Sequence, residues 1–151
     1  MDAFLNGVTF LKTTETDWPI ILELEKGMVG NLIYRPIIDI EELKSYFSKS
    51  TIYKVISGKS LIGYCAYELT DNTAEITALL VLNQFQKKGV GECMLKKIME
   101  ELDAIQNIKV ITSPENVVAL RLYLKYGFIV KEWKENYWQG QPRLVLYKVK
   151  A

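Results

Sequence analysis

The feature that most constrains this chain is a change of hydrophobic period near residue 90. Thr51 to Ser57 and Leu61 to Thr70 are rich in β-branched, aromatic and apolar side chains, with only Gly58-Lys59-Ser60 between them. Asp71-Asn72 then leads to a third such run, Ala74 to Leu82. Links this short join neighbouring antiparallel strands, because a parallel return needs a crossover of a dozen or more residues. Beyond them Val90, Met94, Leu95, Ile98, Met99, Leu102 and Ile105 recur every three or four residues, with Lys96, Lys97, Glu100 and Glu101 opposite. That is the pattern of a helix with one buried face. Strands that give way to a packed helix place the chain in the α/β class with a mixed sheet.

The flanks extend this order. Val8 to Lys12 reads as a strand. Thr16-Asp17-Trp18-Pro19 reads as a helix start with Pro in the first turn, and Asp39 as the cap of a second helix through Glu41 to Phe47. Val110 to Thr112 is a short strand, and Ser113-Pro114 opens a helix that Gly127 closes. Phe128 to Trp138 and Arg143 to Val149 form a final hairpin. The predicted order is β-α-α-β-β-β-α-β-α-β-β. With 151 residues and no repeat, linker or low-complexity tract, one domain over 1–151 is expected. Its size supports a core without staples.

Composition narrows the classes further. The chain is 49% hydrophobic and 25% charged, a globular balance that excludes disordered and collagen-like chains. The longest apolar stretch, Ala78 to Leu82, is far short of the ~20 residues of a membrane span. Met-Asp-Ala-Phe-Leu-Asn-Gly lacks the basic and apolar regions of a secretory signal. Cys65 and Cys93 cannot build a disulfide framework, so a cytoplasmic protein is expected. They read as small buried hydrophobes. The chain contains no histidine, which removes His-based triads and makes a zinc site improbable; no metal is expected.

A net charge of +1 argues against a nucleic-acid binder held by phosphate contacts. The distribution is uneven: residues 1–85 carry 11 acids and 7 bases, residues 86–151 carry 7 acids and 12 bases. Chance scatter explains that, or an anionic ligand held by one half and a cationic one by the other. The strongest candidate for an anion site is Gln86-Lys87-Lys88-Gly89-Val90-Gly91, between a strand and the amphipathic helix. The first-turn amides of a helix lack intrahelical partners, and the dipole favours negative charge there. Two glycines let a diphosphate approach the backbone. The third glycine of a dinucleotide-binding fingerprint is missing.

Two spaced motifs carry a family resemblance. Ala74-Glu75-Ile76, Leu79-Leu80-Val81 and Gln86-x-x-Gly89-x-Gly91 resemble the acetyl-CoA-binding core of the GNAT superfamily of N-acetyltransferases. Asn116-x-x-Ala119-x-x-x-Tyr123-x-x-Tyr126-Gly127-Phe128 resembles its second signature. The element order is similar too, so the resemblance spans nearly the whole chain. It implies a single-domain GNAT fold: a mostly antiparallel mixed sheet with splayed central strands and about four flanking helices.

The resemblance also implies roles. The amides of Gln86, Lys87, Lys88, Gly89, Val90 and Gly91 would bind the pyrophosphate of coenzyme A. The backbone of Leu79, Leu80 and Val81 would pair with the pantetheine arm at a bulge. Leu80 would supply the oxyanion N–H. Asn116, Ala119 and Tyr123 would face the cofactor, with Tyr123 reaching the sulfur. The acceptor must lose its proton to attack. Without histidine, Glu75 is the candidate base acting through water, or else a structural or substrate-charge residue. Residues 16–48 hold six acids against three bases, favouring a small cationic amine. Tyr137 and Trp138 resemble the Tyr-Tyr region of ribosomal-protein N-terminal acetyltransferases, where tyrosine holds the peptide backbone. That branch's catalytic glutamate would stand at position 111, which is isoleucine here. A module that binds acetyl-CoA without catalysis is a third reading. The expected partners are acetyl-CoA and an amine acceptor, with no nucleic acid or membrane; a homodimer is compatible with this reading.

Overall fold

The computed structural model describes residues 3–150, so Met1, Asp2 and Ala151 of the expected 1–151 domain lie outside the described residues. The strands are β1 (Val8–Lys12), β2 (Ser50–Ser57), β3 (Ser60–Thr70), β4 (Thr73–Val81), β5 (Asn107–Thr112), β6 (Ile129–Trp138) and β7 (Gln141–Val149). The helices are α1 (Ala3–Asn6), α2 (Trp18–Lys26), α3 (Ile40–Tyr46), α4 (Val90–Glu101) and α5 (Val117–Lys125). The predicted order holds, and α1 is the added helix. The period of α4 continues to Ile105 because a turn at Leu102 folds Ile105 back onto the core after the helix ends. At α5 the segment from Ser113 is a turn; Asn116 caps the helix, its Oδ1 accepting from the Ala119 N–H at 3.2 Å.

The seven strands form one sheet in the order β1-β2-β3-β4-β5-β7-β6. The short links make β2–β3–β4 antiparallel, and the crossover through α4 makes β4–β5 the parallel pair. Two cores flank the sheet. One gathers Val90, Met94, Leu95 and Ile98 of α4 with Ile62, Cys65, Ile76, Ile108 and Tyr123. The other gathers Ile21 and Leu24 of α2 and Leu43 of α3 with Tyr64, Ala66 and Leu80. Among the described residues no helix is long and apolar enough to cross a membrane.

Two irregularities shape the centre. Ala66 pairs with Ala78 but Tyr67 pairs with Ile76, so Thr77 is an extra residue in β4. A bulge of this kind inverts the alternation of the strand. Before it Ala74 and Ile76 face the α4 core; after it Leu79 and Val81 do, and Leu80 faces the α2–α3 core. Glu75 and Leu79, four positions apart, therefore point to opposite faces. The second irregularity is the parallel pair itself. Pairing of β4 with β5 stops at Ile76 and Val110, so residues 77–81 keep β3 on one edge and leave the other unpaired. The expected splay is present, and the bulge stands at its mouth.

Candidate active site

The splay opens into a cleft of about 620 Å³ lined by both separating strands, from Glu75 to Leu79 and from Val110 to Thr112. Four other elements close its walls. Asn116, Ala119 and Tyr123 come from α5 and its cap, and Glu42 and Tyr46 from α3. Ile33, Tyr34, Arg35 and Ile37 come from the segment before α3, and Tyr137, Trp138 and Arg143 from the last hairpin. The structure thus brings together Glu75, Leu79, Asn116, Ala119, Tyr123, Tyr137 and Trp138 from the sequence-based site. It does so with residues from positions 33 to 143.

Tyr123 is 4% exposed and lines the cleft, and its hydroxyl has no hydrogen-bond partner among the described residues. Burial pushes its phenol well above the ordinary value. It therefore remains a proton donor across the physiological range. The ring is buried while the hydroxyl stays reachable from the cleft between the strands, which leaves it free to bond a ligand there. Asn116 uses its Oδ1 to cap α5, which leaves its amide N–H groups for the cleft.

Glu75 pairs with Lys109 on the adjacent strand at 3.5 Å. Tyr46 lies close enough to Glu75 and Tyr137 for their charges to act on its phenol. Burial first, then those neighbours, raise it to about 12. Leu80, whose backbone N–H is the expected oxyanion donor, packs its side chain beside Tyr64 in the α2–α3 core, and its neighbours Ala78 and Leu79 line the cleft. Val81 packs toward the α4 core, on the same unpaired stretch.

The 86–91 turn lies beyond the cleft, at the end of the splayed strand. Gly89 is the N-cap of α4, with φ +86° and no side-chain cap. The first-turn amides therefore keep no side-chain partner, as an anion site requires. Lys87 is also left-handed, at φ +64°. Gln86 differs from the other five positions. Its N–H donates to the Asn83 carbonyl at 3.3 Å, and its side chain donates to the Val81 carbonyl at 2.9 Å. It braces the turn, and its amide is engaged. Lys88 sits 5.4 Å from the centre of the Phe4 ring, and Leu5 lies beside Gly89, so α1 packs against this turn.

The charge of the acceptor wall departs from the sequence count. Of the six acids in residues 16–48 only Glu42 lines the cleft. Asp17 is paired with Lys54, and Asp39 caps α3. Glu25 is fully buried behind the wall. Its carboxylate accepts from Tyr34 Oη at 2.6 Å, Tyr64 Oη at 2.7 Å and the Ile37 N–H at 2.7 Å. Burial raises its pKa above the ordinary value, and these three bonds oppose that shift. Glu25 stands in α2, and nothing in the sequence around it marks a role. Its partners lie 9, 12 and 39 residues away, which no local pattern encodes. Tyr34, Arg35, Glu42, Tyr46 and Arg143 were likewise outside both motifs.

Residues 48–130 match the family model described as the acetyltransferase (GNAT) domain. The chain belongs to the GNAT acetyltransferase family. It is an acyltransferase of the N-acetyltransferase type, in a family whose acetyl donor is acetyl-CoA. Solved structures agree on the fold. The ribosomal-protein-S18-alanine N-acetyltransferase from Escherichia coli is 16% identical, covering 94% of this chain and 93% of its own, at TM-score 0.81. A GNAT family acetyltransferase from Elizabethkingia anophelis with acetyl-CoA bound is 20% identical, covering 96% and 99%, at 0.77. The spermidine/spermine N-acetyltransferase from Vibrio cholerae is 18% identical, covering 97% and 95%, at 0.74. No curated protein matches by sequence. Cys65 of this GNAT chain is buried, and its thiol is pushed up to about 12, which removes it as a nucleophile near neutral pH.

Proposed function

We propose that the chain, acting as one domain over residues 1–151, transfers an acetyl group from acetyl-CoA directly to a primary amine in a ternary complex. A small amine that arrives as a cation is the first choice of acceptor. The observation that carries this reading is Tyr123, a buried ring whose unpartnered hydroxyl meets the same cleft that Glu75 lines.

The chemistry follows from positions. The thioester supplies an activated acetyl group. The unpaired edge of residues 77–81 is suited to hold the pantetheine arm, and the amides from Lys87 to Gly91 its diphosphate. A backbone N–H of this stretch, that of Leu80 or of its neighbours Ala78 and Leu79, receives the carbonyl oxygen. Glu75 accepts the ammonium proton through water, and the amine nitrogen then forms the new C–N bond. As the C–S bond breaks, the proton that the nitrogen sheds on becoming an amide goes to the departing thiolate, either through Tyr123, which takes it up as it gives its own, or directly while Tyr123 hydrogen-bonds the sulfur. Glu42 and Glu75 supply the negative charge that attracts the ammonium.

A peptide N-terminus is the second reading. It is favoured by Tyr137 and Trp138 lining the cleft, and by the likeness to the S18-alanine enzyme. The test is thiol release from acetyl-CoA with small amines, polyamines and short peptides, in wild type and Glu75→Gln. Turnover with small amines that falls ~10²–10⁴-fold in the variant, most steeply below neutral pH, supports Glu75 as base. Peptide-only turnover that Tyr137→Phe abolishes reverses the order. Acetyl-CoA binding without transfer to any amine identifies a regulatory module. A pH profile unchanged by Glu75→Gln removes Glu75 from the base role.

A further inference from the structure

We infer that the acceptor is a free amino acid with an apolar or aromatic side chain, whose carboxylate is bound by Arg143, with Arg35 assisting, while its amine faces Glu75; this rests on the acetyltransferase reading above. Both arginines line the catalytic cleft, and they reach it from different elements, the last hairpin and the segment before α3. Neither has a carboxylate partner among the described residues. Arg35 has no partner of any kind there.

Arg143 is held in place without being neutralised. Its guanidinium lies 5.9 Å from the centre of the Trp138 ring, and one Nη donates to the Pro142 carbonyl at 2.7 Å. That leaves most of its five N–H donors directed elsewhere. An orientation fixed by an aromatic face lowers the entropy lost when a ligand binds. The hairpin produces this arrangement. Between Lys134 and Trp138, β6 carries two more residues than its partner, with Asn136 left-handed at φ +50°. The chain then reverses through Gln139 and Gly140, both also left-handed.

The charge of the cleft argues for both signs on one ligand. Its lining holds two arginines and two glutamates, and Lys109 already balances Glu75. A polyamine offers nothing to the arginines. A plain alkylamine would leave two guanidiniums facing its apolar tail. An amino acid places an anion and an ammonium a few ångströms apart, and the planar guanidinium matches a carboxylate in shape and charge. Five aromatic side chains, Tyr34, Tyr46, Phe47, Tyr137 and Trp138, and several aliphatic ones make up much of the remaining lining, which suits an apolar or aromatic side chain.

The test compares matched acceptors that differ only in the carboxylate: phenylalanine against 2-phenylethylamine, and leucine against 3-methylbutylamine. Thiol release from acetyl-CoA is measured in wild type, Arg143→Gln, Arg143→Lys and Arg35→Gln. Wild type is expected to favour each amino acid by about tenfold or more in kcat/KM, the range of one charge-assisted contact. Arg143→Gln should bring that ratio close to one. Arg143→Lys should restore it only in part, and Arg35→Gln should lower it less. Melting temperature checks that each variant is folded, and Arg35→Gln carries the test should the Arg143 variants unfold. The inference is overturned if the carboxylate-free amines do as well as the amino acids, or if the ratio survives both arginine changes. It is also overturned if only peptides are acetylated. Those results leave the acetyltransferase reading standing. Absence of transfer to every amine would bring down both.

Discussion

Replacing Glu25 tests how the acceptor wall is built. In Glu25→Ala the Tyr34 hydroxyl, the Tyr64 hydroxyl and the Ile37 N–H lose their common acceptor. Each orphaned buried donor costs ~1–3 kcal/mol, and water entering the space left by the carboxylate can satisfy some of them. The expected loss is therefore ~3–5 kcal/mol, a third or more of the stability of an ordinary domain. With a urea m-value of ~2 kcal/mol/M, the unfolding midpoint should fall by about 2 M. The melting temperature should fall by about 10 °C.

Glu25→Gln preserves the shape and adds a pH signature. Burial raises the Glu25 pKa in the folded state above its ordinary 4.5. The folded protein then holds that proton more tightly than the unfolded chain, so this group's contribution is full below pH 4.5 and declines as pH rises through the folded value. The stability of wild type minus that of Glu25→Gln should therefore fall with rising pH from about 4.5 upward. Urea unfolding at a series of pH values reads both effects. Glu25→Ala within about 1 kcal/mol of wild type, with no pH-dependent difference in the Gln variant, would show that the buried carboxylate does not organise the wall.

Three further outcomes are expected. Tyr123→Phe keeps the packed ring and removes the unpartnered hydroxyl, so kcat should drop about tenfold or more at unchanged acetyl-CoA affinity; single-turnover kinetics with calorimetry checks this. Gly89→Val forces a β-branched residue into φ +86° with its Cβ 3.3 Å from Leu5 Cδ1, and calorimetry should show acetyl-CoA affinity lowered by about tenfold or more in protein that still melts cooperatively. Gly63→Ala would set a Cβ 2.1 Å from the Leu80 carbonyl oxygen, so β3 and β4 must separate; thermal melts should show a loss at or above the ~3 kcal/mol upper range of overpacking.

Local pattern determined much of this protein by itself. The three-strand antiparallel block follows from links of two or three residues, and α4 from a period that one side of a helix must bury. The same locality exposed the uncapped turn at Gly89 and the Asn116–Tyr123 stripe, because each motif lies within one short stretch. Tertiary structure decided the rest. Local alternation does not locate the Thr77 bulge, since the extra residue is defined only against β3. The charge count of residues 16–48 overstated the acceptor wall, because only Glu42 of the six acids lines the cleft, and pairing with Lys54, capping of α3 and burial behind Tyr34 and Tyr64 engage three of the others. Arg35 and Arg143 come to line one cleft only when the hairpin folds back beside the splay. Periodicity reports which side of an element is buried. Which distant side chains then meet is settled by strand pairing across tens of residues, where bulges and crossovers leave no repeating trace in the sequence.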